Sequence, residues 1–204
     1  MLRESNVDPR TVQEIQKDVD RLKLVSDRFG KIGSTPVLEE RDLIGQIRIM
    51  MEYIRKRATG KVQFVLQTPG GTESPGAAVL PGQPQPVAPP TAYLSARISG
   101  PLFDWVIENL LKNALDAMEG KGSITIAIAD LEKDILIDVT DTGKGITSRN
   151  LQKVFKPGFT TKKRGWGLGL SLSKRIIEQY HKGQLFVRHS ELGKGTTFRI
   201  VLKK

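Results

Sequence analysis

Near the start of the chain, apolar positions recur at alternating steps of three and four residues. Asp8 followed by Pro9 is typical of a helix start, and Gly30 of a helix end. The apolar stripe consists of Val12, Ile15, Val19, Leu22 and Phe29, with Ser26 interrupting it. This spacing indicates a coiled-coil or helical-bundle seam. One helix cannot bury the stripe alone, so we expect it to pack on a partner chain or another helix; a helix folded back on its own domain is the alternative.

A second amphipathic helix follows a short linker. Gly-Ser-Thr-Pro at residues 33–36 places a domain boundary near Pro36. An apolar face then predicts a helix that ends near Gly60, with Leu43, Ile47, Met50 and Ile54 on this face. Residues 61–68 predict a strand. Residues 69–90 are dominated by Gly, Pro, Ser, Gln and Ala without a period, which predicts a flexible insertion.

The C-terminal half combines a long helix with alternating strands. The helix is predicted after Gly100-Pro101, and its buried side comprises Phe103, Val106, Ile107, Leu110, Leu111, Ala114 and Met118. Alternation at residues 124–128 and 135–139 predicts a hairpin with its turn at 130–134. Further strands are predicted at 91–98, 184–188 and 196–202, and a helix from about 167 to 179. The pattern predicts an α+β sandwich in which helices cover one face of a mixed sheet, preceded by the coiled-coil-like helix.

Length and composition limit the function classes. The 204 residues, 38% hydrophobic, suffice for one domain and a fragment of another. The absence of cysteine excludes disulfides and thiolate metal sites. No apolar run approaches the roughly 20 residues of a membrane span, and the first residues lack the apolar core of a signal peptide. We therefore expect a soluble, cytoplasmic chain, and leave open a membrane anchor elsewhere in a longer protein.

The net charge of +10 is concentrated in one part of the sequence. Residues 151–177 contain no acidic residue, and their basic residues are Lys153, Lys156, Lys162, Lys163, Arg164, Lys174 and Arg175. Because this cluster surrounds a glycine-rich motif, a bound nucleotide or an acidic protein partner accounts for it at least as well as DNA does. A solvated basic face is the alternative.

The long helix carries polar residues with magnesium chemistry. Asn109 and Asn113 are four residues apart and share a helix face. Mg²⁺ takes about six oxygen ligands, with one or two from protein. Asn113 is therefore the candidate Mg²⁺ ligand, and Asn109 can help to place the ion or its waters; ordinary hydrogen-bonded asparagines are the alternative. Lys112 and Asp116, in the same motif, are further candidate nucleotide contacts.

An acidic glycine loop follows the second strand of the predicted hairpin. Asp141 ends that strand, and Gly143 and Gly145 allow close approach of a flat ligand. A carboxylate there can accept a hydrogen bond from the exocyclic amine of adenine. Guanine has a carbonyl at that position, and two acceptors facing each other would weaken GTP binding by roughly 1 to 3 kcal/mol. The candidate contacts are Asp141, Gly143, Gly145 and Ile146; a simple turn is the alternative.

Two further motifs suit a triphosphate. The glycine-rich start of a helix offers unpaired amides and the positive end of the helix dipole, with Gly165, Gly167, Leu168, Gly169 and Leu170 as candidate contacts. No Gly-Lys-Ser/Thr follows, so this is not a Walker loop. Residues 155–162 have the composition of a mobile lid, with candidate contacts Phe155, Thr160, Thr161 and Lys162. Lys162 is the candidate phosphate contact, and a solvated lysine is the alternative.

In order and spacing, these motifs resemble the ATP-binding domain of sensor histidine kinases, within the superfamily that includes DNA gyrase, Hsp90 and MutL. Residues 109–117 resemble its N box, 141–146 its first glycine box, 155–162 its F box and 165–171 its second glycine box. Residues 193–198 resemble the closing glycine-threonine motif, which adds Thr196 as a candidate contact. The resemblance covers roughly residues 39–204.

The resemblance implies a function and partners. Residues 36–204 would be a catalytic domain that binds Mg-ATP and transfers the γ-phosphate to a histidine absent from this chain, for later transfer to a response regulator. Residues 1–35 resemble the second helix of the dimerisation and phosphoacceptor hairpin, which implies a homodimer. His181 and His189 do not resemble the acceptor, so we do not expect this chain to phosphorylate itself.

One position favours a kinase over an ATPase. ATPases of this superfamily carry a glutamate one turn before the magnesium asparagine, where this chain has Asn109, which cannot act as a base. Glu108 lies about 100 degrees away around the helix. Asn109, Asn113 and Glu108 are the candidate catalytic residues. The alternatives are a serine kinase such as an anti-sigma factor, an ATPase, a non-catalytic nucleotide-binding module and a nucleic-acid binder.

Overall fold

A computed structural model describes residues 8, 12, 16, 36–58, 61–73, 93–162 and 165–204. The chain divides into two compact units, Met1–Pro36 and Val37–Lys204. In the first unit, the amide of Val12 donates to the carbonyl of Asp8 at 3.2 Å, as in a helix. The rest of the predicted seam lies outside the described residues, so the dimerisation role of this unit stays a prediction.

The second unit alternates strands and helices. Its elements are β1 (Glu39–Asp42), α1 (Leu43–Arg55), β2 (Val62–Thr68), β3 (Gly71–Glu73), β4 (Ser95–Ile98), α2 (Gly100–Met118), β5 (Gly122–Asp130), β6 (Asp134–Asp141), α3 (Ser148–Leu151), α4 (Gly169–Arg175), a π-helical turn (Ile176–Tyr180), β7 (Gln184–Glu191) and β8 (Gly195–Lys203). No helix in the described ranges is long and apolar enough to cross a membrane.

Six strands form the main sheet, in the order β3-β2-β5-β6-β8-β7. β2 and β5 are parallel, and the other neighbours are antiparallel. This mixed sheet with its helices confirms the predicted α+β class. A separate antiparallel pair, β1 with β4, was not predicted, because the sequence of β1, Glu-Glu-Arg-Asp, has no apolar alternation.

The core lies between the helices and one face of the sheet. The predicted buried side of α2 is confirmed at all seven positions, and the inward residues of the central hairpin are Ile124, Ile126, Ile128, Ile135, Ile137 and Val139. Two details of α1 were wrong: the helix ends at Arg55, and Met51 is buried where Met50 was expected. Met51 stands four residues after Ile47 and three before Ile54, so it shares their face.

The first residues of the predicted insertion, 69–90, form part of a hairpin. Gly71–Glu73 forms β3 and pairs with the last three residues of β2, so residues 69–73 belong to a hairpin. Glu73 accepts two hydrogen bonds from Arg48 of α1, at 2.8 and 2.9 Å, which attach the hairpin to that helix. Residues 74–92 lie outside the described part of the chain.

The π-helical turn after α4 determines where His181 lies. The amide of His181 donates to the carbonyl of Ile176 at 3.2 Å, five residues back. The His181 side chain is buried, and its Nε2 accepts from the amide of Ser99, just before α2, at 3.1 Å. Its Nδ1 donates to the Ile176 carbonyl at 3.0 Å. Burial lowers the pKa of His181, so the neutral imidazole joins the end of this helix to the start of α2.

Candidate functional site

Asp141 is a buried carboxylate at the end of the central strand β6. Its Oδ1 accepts from the amide of Gly143 at 2.8 Å, and the backbone of Thr196 on the neighbouring strand also donates to it. Burial raises the pKa of Asp141, while these two hydrogen bonds act in the opposite direction. A carboxylate has about four acceptor positions, so Asp141 retains capacity for a ligand donor.

The loop after Asp141 is held between α2 and the turn that joins β7 to β8. A Cβ on Gly143 would lie 2.6 Å from the carbonyl carbon of Ala117 in α2. Gly145 has φ +71°, and a Cβ there would lie 2.2 Å from the carbonyl oxygen of Glu191. Both positions therefore require glycine, because the backbone of Ala117 and Glu191 occupies the space that a Cβ would take. The amide of Ile146 donates to Ser190 Oγ at 2.8 Å.

The asparagine helix contacts the glycine-rich helix start through Asn109. Asn109 Nδ2 on α2 donates to Ser173 Oγ on α4 at 2.9 Å. A Cβ on Gly169, the first residue of α4, would lie 2.4 Å from Asn109 Oδ1. The N-box motif and the second glycine box are therefore in direct contact.

Asn113 and Asp116, further along α2, meet the predicted lid. Lys162 Nζ donates to Asn113 Oδ1 at 2.7 Å and to Asp116 Oδ2 at 2.5 Å. A cation thus already lies on the oxygen that was predicted to bind Mg²⁺. This contact brings together three of the predicted site residues.

Glu108 and Lys112 pair with each other along α2. Lys112 Nζ donates to Glu108 Oε1 at 2.6 Å, four residues away. The Glu108 side chain is 14% exposed. The catalytic role of Glu108 and the nucleotide-binding role of Lys112 stay predictions.

The lid, residues 155–162, lies against the glycine loop, residues 165–169. The amide of Gly158 donates to the carbonyl of Gly167 at 3.1 Å. Gly167 has φ +65°, and a Cβ there would lie 2.4 Å from the carbonyl carbon of Gly158. Thr160 and Thr161 are exposed, and Trp166 is 49% exposed. The two segments are therefore joined backbone to backbone.

Other predicted contacts take different positions. Phe155 is half-buried, packs edge-on against Phe198 with ring centres 6.2 Å apart, and has Lys174 Nζ 4.9 Å from its ring centre. Thr196 is buried and shares a 2.9 Å hydrogen bond with Ser190 Oγ. Leu168 precedes α4 as its N-cap, Leu170 is half-buried, and Gly165 is exposed. Their nucleotide contacts stay predictions.

Sequence reasoning missed two serines that shape this site. Ser173 holds Asn109, and Ser190 bonds both Ile146 and Thr196. Ser173 follows Gly169 by four residues on one helix, a spacing that could have shown that both lie on the α2 side. For Ser190 the signal was weaker, because its role depends on the strand register between β7 and β8.

The donor set fits a magnesium nucleotide. In this structure Asn113 Oδ1 accepts a hydrogen bond from the ammonium group of Lys162. Such a carbonyl oxygen is also a ligand type that Mg²⁺ takes from proteins. Three or more acidic or histidine side chains do not cluster anywhere in the described residues, and Mg²⁺ in nucleotide sites takes most ligands from water and phosphate. The buried Asp141 keeps acceptor capacity for an exocyclic amine, whereas the space beside Gly143 and Gly145 is taken by the backbone of Ala117 and Glu191.

Comparison with known proteins identifies relatives of the C-terminal half. Residues 101–204 match the family described as histidine kinase-, DNA gyrase B- and HSP90-like ATPase. Sporulation kinase E of Bacillus subtilis is 46% identical over 98 residues, which are 48% of this chain and 13% of that protein. Sensor histidine kinase ZraS of Salmonella typhi is 45% identical over 98 residues, 48% of this chain and 21% of ZraS. The chain therefore spans a small part of these relatives.

Solved structures of histidine kinase ThkA share the fold. Its nucleotide-free catalytic domain aligns with a TM-score of 0.63 and 27% identity, covering 82% of this chain and 95% of that domain. ThkA in complex with response regulator protein TrrA aligns with a TM-score of 0.67 and 22% identity, covering all of this chain and 53% of ThkA. The resemblance inferred from the five motifs is confirmed: the chain belongs to the family of histidine kinase-, DNA gyrase B- and HSP90-like ATPases, as an ATP-binding domain of the sensor histidine kinase type.

Proposed function

We propose that this domain binds Mg-ATP and transfers the γ-phosphate to a histidine on a helix that is not part of this chain. The observation that carries the proposal is the position of Lys162 Nζ, 2.7 Å from Asn113 Oδ1. Through the contacts of Asn109 with Ser173 and Gly169, α2 also lies against the glycine-rich helix start, so a carbonyl oxygen, a lysine ammonium group and that helix start all adjoin α2. These are the groups that a metal-bound triphosphate requires.

The two ends of the nucleotide would meet different parts of the domain. Asp141 would accept from the adenine amine, because its carboxylate is fixed by Gly143 and Thr196 and has acceptor capacity left. The phosphates would lie at the start of α4, close to Gly169. Asn113 would ligate Mg²⁺, and Asn109 would help to place its waters. Magnesium bound there would neutralise phosphate charge and orient the triphosphate.

Phosphoryl transfer requires little covalent chemistry from protein side chains, which mainly position the reactants and stabilise charge. The acceptor imidazole nitrogen bonds to the γ-phosphorus, the bond from that phosphorus to the oxygen of the β-phosphate breaks, and ADP leaves. Lys162 would turn from Asp116 to the phosphates and stabilise the charge that develops there. Asn109 cannot remove a proton from water, so transfer to histidine is favoured over hydrolysis. Glu108 is retained as a candidate for assisting the acceptor.

The sensor histidine kinases among the relatives indicate which class of partner protein to expect. We propose that the full-length protein is a two-component sensor kinase whose phosphohistidine passes its phosphoryl group to a response regulator. The solved complex of ThkA with TrrA supports this class of partner. Dimerisation through the helical segment before residue 36, and Mg²⁺ as the metal, belong to the same proposal.

Calorimetric titration with Mg-ATP tests binding, with Mg-GTP as the specificity control and Asp141→Asn as the site control. Saturable binding of ATP, weak binding of GTP and loss of binding in the variant are expected. Transfer is tested by adding a phosphoacceptor helical hairpin that carries the histidine, with γ-labelled ATP, and following acid-labile label. A domain that binds Mg-ATP but hydrolyses it rapidly, or labels no acceptor, would contradict the kinase function.

A further inference from the structure

Ser173 is a buried hydroxyl that lies outside every nucleotide motif. It is 0% exposed and stands on α4, four residues after Gly169. Its Oγ accepts a 2.9 Å hydrogen bond from Asn109 Nδ2 on α2, a residue 64 positions earlier. The bond therefore joins the two helices that carry the magnesium and phosphate chemistry.

The other end of the Asn109 amide meets the same helix. A Cβ on Gly169 would lie 2.4 Å from Asn109 Oδ1, so the absence of a side chain allows this oxygen to lie against the first turn of α4. Gly169 and Ser173 are one helical turn apart and face the same way. The amide is thus held at its nitrogen by Ser173 and lies with its oxygen beside Gly169.

Such an amide needs a partner to keep one orientation. The terminal torsion of asparagine is broad and roughly two-fold, so packing alone fixes it poorly. Within this structure, the hydrogen bond to Ser173 holds Nδ2 towards α4 and Oδ1 towards Gly169. Loss of the hydroxyl would let the amide rotate without filling or emptying much space.

We propose that Ser173 is a positioning residue of the nucleotide site. It holds the Asn109 amide so that Oδ1 stays beside the start of α4, where Asn109 would help to place the waters of a magnesium ion held by Asn113. This inference rests on the proposed function, because it requires a Mg-ATP site between these helices. Ser173 itself touches neither metal nor phosphate.

The test is the gain in ATP affinity that Mg²⁺ produces, measured by calorimetry in Mg²⁺ and in EDTA. Ser173→Ala should reduce this gain by about three- to tenfold, the worth of one buried hydrogen bond. The affinity in EDTA should change less than about twofold. Ser173→Thr keeps the hydroxyl and should keep the gain. Ser95→Ala is the matched control, because its hydroxyl bonds Glu40 in the separate two-stranded sheet.

A double-mutant cycle separates positioning from packing. Once Asn109→Ala has removed the amide, adding Ser173→Ala should cause no further loss of the magnesium gain. Thermal melting of each variant shows that it is folded at the assay temperature. If Ser173→Ala melts too low, Ser173→Cys provides the test, since it fills the same space with a poor acceptor.

The outcomes distinguish the two proposals. A folded Ser173→Ala or Ser173→Cys protein with the parent's magnesium gain would overturn the inference and leave the proposed function intact. Fully additive losses in the cycle would do the same. A parent protein that binds no Mg-ATP would instead overturn the proposed function, and the inference with it.

Discussion

Lys162 donates a 2.7 Å hydrogen bond from its ammonium group to the amide oxygen of Asn113. The same ammonium group bonds Asp116 at 2.5 Å, so the lid is tied to α2 by a charge. One carbonyl oxygen cannot serve this ammonium group and a metal ion in the same direction. If Asn113 ligates Mg²⁺ as proposed, Lys162 must release the Asn113 oxygen when Mg-ATP binds, and its ammonium group would then be available to the phosphates.

Replacing Lys162 should weaken binding of the triphosphate specifically. In Lys162→Met, the loss of a charge-assisted hydrogen bond at a partly exposed site should lower ATP affinity by about tenfold. Adenosine affinity should be unchanged, because the proposed site of the base is at Asp141. Lys133→Met, in the exposed turn at the far end of the β5–β6 hairpin, makes the same charge change and should behave like the parent. Calorimetry with ATP and adenosine measures both, and equal losses for the two ligands would contradict the assignment.

Asp141→Asn should separate stability from binding. Burial raises the pKa of Asp141, so its ionised form at neutral pH lowers the stability of the fold. Because the pKa of Asp141 is higher in the folded state, its protonated form stabilises the fold. This contribution is fully present below the pKa of the unfolded state and is lost as pH rises through the pKa of the folded state. The uncharged asparagine should therefore melt at the same temperature or higher, yet bind ATP at least tenfold more weakly, by about one lost charged hydrogen bond. A variant that unfolds as it loses binding would refute this reading.

The two histidines should have different effects on acid stability. Because burial lowers the pKa of His181, its stabilising neutral form is favoured above the ordinary value near 6.5 and is lost as pH falls from there through the folded pKa. The free energy of unfolding should fall across this window with a slope of up to about 1.4 kcal/mol per pH unit. Denaturant unfolding at several pH values should show a smaller slope in His181→Gln, whereas His189→Gln, at an exposed position, should retain it.

Two glycines of similar backbone conformation should differ in their tolerance of alanine. Gly145 and Gly193 have φ +71° and +75°, but a Cβ on Gly145 would lie 2.2 Å from the Glu191 carbonyl oxygen, whereas a Cβ on Gly193 meets nothing within 4 Å. Gly193→Ala should cost about 1 to 2 kcal/mol of stability for the left-handed conformation. Gly145→Ala should cost about 1 to 3 kcal/mol more. Equal losses of unfolding free energy for the two variants, measured in denaturant, would mean that the loop around Gly145 rearranges at no energetic cost and would contradict the prediction.

Elements with a strong hydrophobic period could be predicted from the sequence. Every residue predicted to be buried from the apolar spacing of α2 and the alternation of β5 and β6 is buried, because the two faces of each element differ sharply in polarity. Leu102 and Asp138 are buried as well and were not predicted. β1 was missed because four charged residues form it, and its pairing with β4 depends on tertiary contact. The π-helical turn was missed for the same reason, since its hydrogen bonds satisfy no local sequence rule.

The candidate site was predictable in its residue types more than in its contacts. Asn113, Lys162 and Asp116 were each named from their motifs, but their mutual hydrogen bonds required the fold. Ser173 lies outside every motif, and its spacing of four residues from Gly169 was the one signal that the sequence offered. Side chains that act through a second residue have no direct chemistry of their own to recognise, so they appear once the three-dimensional neighbours are known.

Asn109 and Ser99 on the α2 side contact Ser173 and His181 on the α4 side, in reverse order along the chain. The two helical segments therefore run antiparallel and are attached near both ends of their shared length. Sliding α4 along its axis would displace the donor from the acceptor in both hydrogen bonds at once. In the proposed site, entry and exit of a nucleotide would therefore involve the lid, which Lys162 attaches to α2, and not a displacement of α4.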